Sequence, residues 1–147
     1  MNRTAASLLA LLLLASCGRE SGRPAPEVPA HELAVGQVWN YHTRDVDQGS
    51  TLTICKLEDL PKAGSVVHVS LAGLHLKNPR APGGYTGEVP HAPFTRAAIE
   101  RSITTLHGQG SPPQGFEAGY RAWQEARGGV FSMPVADVAG LIEKSLK

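Results

Sequence analysis

Apolar and polar side chains alternate with a period of two from residue 35 onward. Trp39, Tyr41 and Thr43 interleave with Val38, Asn40, His42 and Arg44, and residues 51–57 (TLTICKL) and 65–71 (SVVHVSL) are rich in β-branched side chains. Turn-forming pieces at 46–49 (VDQG) and 59–64 (DLPKAG) separate these runs. The pattern predicts an antiparallel meander of three strands, with residues 74–77 as a short fourth. Pairing Asp45 with Ser50 sets Tyr41 opposite Ile54, and pairing Glu58 with Ser65 sets Ile54 opposite Val69. Both turns then place Trp39, Tyr41, Leu52, Ile54, Val67, Val69 and Leu71 on one face, whereas a slip of one residue would scatter the set. That face is the predicted core.

Residues 77–93 (KNPRAPGGYTGEVPHAP) hold four Pro and three Gly and show little periodicity, so they read as a long loop. Three helices are predicted after it. Thr95 is placed to cap the first, with Phe94 before it and Ile99 at the fourth helical position as a hydrophobic staple, and Ile99, Ile103 and Leu106 as its stripe. Phe116, Tyr120 and Trp123 fall at i, i+4 and i+7 in the second, which Gly128 and Gly129 stop. Val130 and Phe131 add a short strand. Ser132 or Met133 caps the third helix, whose stripe is Val135, Val138 and Ile142 with Pro134 near its start. The fold class is α+β: a small antiparallel β-meander of three to four strands followed by about three helices packed on one face.

Composition narrows the class without changing this layout. The 147 residues suffice for one domain, and 41% apolar with 18% charged residues exclude wholesale disorder and a coiled coil. The first 16 residues differ from the rest: Arg3 precedes an apolar run at residues 5–15. As a helix that run rises only about 16 Å, against roughly 30 Å of hydrocarbon, so it reads as a signal peptide rather than a span. It ends Leu14-Ala15-Ser16-Cys17, which resembles the lipobox of bacterial lipoproteins. The resemblance implies that residues 1–16 are removed and that Cys17 is lipidated, anchoring the chain to membrane lipid. Gly18 is not the Asp that marks inner-membrane retention in enteric bacteria, so the resemblance favours the outer membrane, facing the periplasm. Residues 17–34 then comprise the lipidated Cys and a Pro-rich tether, GRESGRPAPEVPA at its centre, reaching about 40 Å if extended. Residues 35–147 form the single domain. Cleavage removes one basic residue and no acid, so the charges balance and nothing attracts nucleic acid.

The domain also resembles an uncharacterised family of small bacterial proteins, through VGQVWNYHTR, STLTICKLE, HVSLAGLHLKNP and GVFSMPVADV. That resemblance implies one compact domain and assigns no functional residues. The six histidines show no metal-ligand spacing, and no cofactor is expected. On the face opposite the core, the predicted register puts Asn40, Cys55 and His68 in one cross-strand row, a composition shared with thiol proteases, in which His lowers the thiol pKa and Asn orients the ring. Mid-strand positions lack the oxyanion pocket such a thiol needs. A thiol hydrolase acting on cell-envelope substrates is therefore the alternative. The favoured expectation is a non-enzymatic binding module of immunity or inhibitor type that recognises another protein. Recognition is expected on the 77–93 connection, through Arg80, Tyr85, Glu88 and His91, because the patterned segments are committed to packing.

Overall fold

A computed structural model describes residues 31–147; the leader, Cys17 and residues 18–30 lie outside the described residues. The fold is α+β, a five-stranded antiparallel sheet with three helices. In chain order the elements are β1 (Gln37–Tyr41), β2 (Thr51–Leu60), β3 (Gly64–Lys77), β4 (Tyr85–Thr95), α1 (Arg96–Ser102), β5 (Ile103–Gln109), α2 (Phe116–Glu125) and α3 (Val135–Ser145). The sheet order is β4-β3-β2-β1-β5.

All seven residues assigned to the core face are buried in one cluster: Trp39, Tyr41, Leu52, Ile54, Val67, Val69 and Leu71. The β2–β3 ladder follows the expected pairing at Leu52 with Leu71 and Ile54 with Val69, then shifts by one at Cys55, so that Glu58 faces Val66 rather than Ser65. Cys55 is thus a β-bulge residue. The β1–β2 ladder is displaced by four, pairing Trp39 with Leu52 and Asn40 with Thr51. The cause is the connection: after Tyr41 the chain leaves β2, His42 N–H donates to Ser102 O (2.9 Å), and a 3-10 turn at Asp45–Asp47 fills the return. An even displacement keeps every side chain on its face, which is why the core survives it.

Two predicted features are corrected. Residues 103–109 form β5, not the second half of a helix. Thr95 does cap α1, its hydroxyl accepting from Ala98 N–H at 3.2 Å, but α1 stops at Ser102. Beyond it, adjacent Thr104 and Thr105 and then Gly108 favour extended chain over helix. Leu106 consequently pairs with Trp39 on an edge strand and is half exposed. The 77–93 loop is likewise mostly strand: β3 runs on through Leu74 and Leu76 to Lys77, and β4 begins at Tyr85. Leu33, ahead of β1, is buried in the core cluster.

α1 and α3 cover the core face, contributing Ala98, Ile99, Val135, Val138 and Ala139. Ser102 joins them: its hydroxyl donates to Ala98 O (2.7 Å) and accepts from Val135 N–H (3.1 Å), satisfying an orphan donor at the start of α3 that neither Ser132 nor Met133 caps. Phe131 makes a one-residue parallel bridge to Phe94. α2 departs from the expected one-sided layer. Its Tyr120 and Trp123 pack on His68, which points away from the core, so α2 covers the opposite face. It ends with Gly128 N–H on Trp123 O (2.9 Å) and Arg127 N–H on Gln124 O (3.0 Å), a Schellman closure with Arg127 in the left-handed position at φ 48°. Gly128 is required there, because a Cβ would lie 2.2 Å from Trp123 Cδ1.

Candidate functional site

The residues expected to bind a partner lie on or beside the β3–β4 hairpin, and the structure brings three of the four to its outer surface. Residues 78–84 form a closed turn, not a slack loop. Asn78 N–H donates to Gly84 O (2.8 Å), Asn78 Nδ2 to Thr86 Oγ1 (2.8 Å), and Arg80 N–H to Asn78 Oδ1 (3.0 Å). Gly83 and Gly84 supply the positive φ values that the turn requires. Arg80 and Glu88 are exposed, and Tyr85 is 51% exposed with its ring 5.5 Å from that of His75. β4 is an edge strand: among the described residues its outer side carries only the Phe131 bridge at Phe94. Residues 85–89 therefore offer both side chains and backbone groups.

His91 does not belong to that surface. It lies half-buried under α2, with Nε2 2.9 Å from Nδ1 of the fully buried His68. His68 Nε2 in turn meets Glu58 Oε1 at 2.7 Å, and Tyr120 OH donates to both oxygens of Glu58 at 3.2–3.3 Å. Gln124 Nε2 donates to Tyr120 OH (3.0 Å), and Lys56 Nζ sits 5.1 Å from the centre of the Tyr120 ring. Phe116, Tyr120 and Trp123 enclose the two imidazoles. Burial lowers the pKa of His68, against the raising effect of Glu58. Burial and the neighbouring His68 push that of His91 down to about 4. Both rings are therefore neutral at pH 7.

The Asn40–Cys55–His68 row does not form. The displaced β1–β2 register sends Asn40 to Thr51, where its amide donates to Thr105 Oγ1 (3.0 Å). The bulge at Cys55 pairs His68 with Lys56. The thiol instead contacts Thr53 O (3.4 Å) and Ser70 Oγ (3.6 Å) and is pushed up in pKa by burial, the opposite of an activated nucleophile. Glu58, His68 and His91 are strung in a line, and among the described residues no three His, Cys, Asp or Glu side chains converge to hold a metal ion.

The sequence reading missed Glu58 and placed His91 wrongly. The available signal was Gly119, midway along an otherwise aromatic helix face. A Cβ there would stand 2.8 Å from His91 Cβ, so the glycine marks where α2 meets β4. No helix among the described residues is long and apolar enough to cross a membrane. Comparison with protein-family models, curated proteins and solved structures found no match.

Proposed function

We propose that this chain is a lipid-anchored, non-enzymatic binding module that recognises another protein of the cell envelope through the tip and open edge of the β3–β4 hairpin. The carrying observation is the half-exposed Tyr85 on an edge strand, flanked by Arg80 and Glu88, on a turn held by its own hydrogen bonds. Tyr and Arg anchor protein interfaces because each combines a large contact area with a polar end. A preformed turn lowers the entropy cost of docking them. The partner fitting this surface presents an extended segment to the β4 edge, with an acidic group for Arg80 and an apolar pocket for Tyr85. The anchor is Cys17, with the tether holding the domain off the outer membrane on its periplasmic side.

Two results are expected. The wild-type chain incorporates a palmitate label and Cys17→Ser does not; equal labelling of both would remove the anchor. Capture from envelope extract on the full detergent-solubilised chain recovers a specific protein. Arg80→Ala/Tyr85→Ala weakens that binding by about 30-fold, on the order of 2 kcal/mol. Equal affinity for both forms would place recognition elsewhere on the domain.

A further inference from the structure

The hydrogen-bond chain beneath α2 has a single consistent arrangement of protons. The Glu58 carboxylate can only accept, so His68 Nε2 carries a proton and donates to it across 2.7 Å. A neutral His68 then presents a lone pair at Nδ1, and His91 must donate to it from Nε2 across 2.9 Å. His91 Nδ1 is left as a bare lone pair, facing the α2 backbone at Gly119, where a Cβ would lie 3.8 Å from it. These roles follow from the network itself. One added proton leaves both hydrogen bonds in place, either on His91 or on His68 with the His91 proton moved to Nδ1, but it charges a pair whose inner ring is fully buried. A proton on each would set two charged donors face to face across 2.9 Å. The docked α2 keeps water from that charge through Tyr120 and Trp123, so each added proton favours the open helix.

We propose that the Glu58–His68–His91 chain is an acid-sensitive latch, which holds α2 on the back of the sheet at neutral pH and releases it when either imidazole gains a proton. The proposal goes beyond the binding reading and does not depend on it. The charged and titratable groups around the pair are Glu58 and Lys56 on β2 and Tyr120 and Glu117 on α2. Of these Glu58 favours the protonated imidazoles, Lys56 disfavours protonation of His68, and burial outweighs both. Release is built into the seating of α2. The helix meets the sheet at His68 and His91 as well as at Glu58 and Lys56 through Tyr120, and Gly119 brings its backbone onto the His91 ring. α1 and α3, on the other face, hold the core without it. Opening α2 uncovers the buried Phe116 together with Trp123 and the back of β3, an apolar surface available only in acid.

The test is hydrogen exchange of the α2 amides at residues 120–125 in the full chain, corrected for intrinsic rates and measured in low urea at pH 7 and pH 5. His91 at about 4 when docked and at an ordinary 6.5 when released gives an expected rise of about 20-fold in α2 opening. That opening should depend on urea distinctly less than exchange in α3, because it exposes less surface than global unfolding, and His91→Gln should lose most of the rise. If α2 opens only through the urea-dependent unfolding it shares with α3, or if the rise persists in full in His91→Gln, the latch is wrong. Imidazole nitrogen shifts of the wild type decide the matter even if that variant does not fold. Both rings should be neutral at pH 7 with the proton on Nε2, and a charged His91 or a proton on its Nδ1 would overturn the proposal.

Discussion

Arg44→Met is expected to lower stability by about 3 kcal/mol, because it takes the cation away from a buried carboxylate. Arg44 follows β1 and reaches two carboxylates from different parts of the chain, Asp47 in the 3-10 turn and Glu143 on α3, the latter at 2.5 Å. Each carboxylate also accepts a backbone N–H of β3: Asp47 from His75 (2.7 Å) and Glu143 from Lys77 (2.9 Å). The guanidinium thus ties the β1–β2 connection, β3 and the C-terminal helix together. Its pKa is raised, chiefly by Asp47, and that of Glu143 is lowered, first by the Lys77 amide and then by Arg44. Asp47 is 1% exposed, so removing the cation strands a buried negative charge. Urea unfolding measures the loss. If the stranded charge is its cause, Asp47→Asn added to Arg44→Met restores part of the stability; no recovery would assign the loss to packing of the Arg44 stem.

Acid should weaken the whole fold for a different reason. The folded pKa of His91 is depressed to about 4, against about 6.5 in the unfolded chain. Between those values the unfolded state binds more protons than the folded one, so stability rises with pH through this window. It is fully present above about pH 6.5, is lost as the pH falls, and stops falling on this account below about 4. From pH 7 to pH 5 the expected loss from His91 is about 2 kcal/mol, and His68, also depressed by burial, adds in the same direction. Urea midpoints of the wild type at the two pH values measure it. His91→Gln should show a distinctly smaller drop, and an equal drop in both would assign the acid sensitivity to other groups.

How much of this was readable beforehand follows from which interactions are local. The core face depended only on parity, and an even error of four residues in the β1–β2 register left it intact. The Thr95 cap depended on neighbours in sequence and appears as expected. β5 was not legible, because Ile103 and Leu106 fit a helical stripe as well as a strand, and only pairing with Trp39 and Tyr41 decides between them. The Glu58–His68–His91 chain was hidden for two reasons. The bulge at Cys55 shifts the pairing of everything beyond it on β2, and residues 77–93 resemble a loop by their Pro and Gly content although most of them lie in β3 and β4. Pro90 and Pro93 sit on the edge strand β4, which tolerates a missing N–H, while Pro79 and Pro82 lie in the turn before it. Gly128 reads in the sequence as a helix stop and Gly119 carries no reading, yet each admits a side chain, Trp123 or His91, that a methyl group would displace.

Site-specific photo-cross-linking in living cells tests most directly whether recognition lies on the hairpin and not on the helical face. Benzoylphenylalanine would replace Tyr85 in one full-length chain and Leu141, 44% exposed on α3, in another. A discrete cross-linked protein from position 85 and none from position 141 is the predicted result. An adduct from position 141 with nothing from position 85 would contradict it.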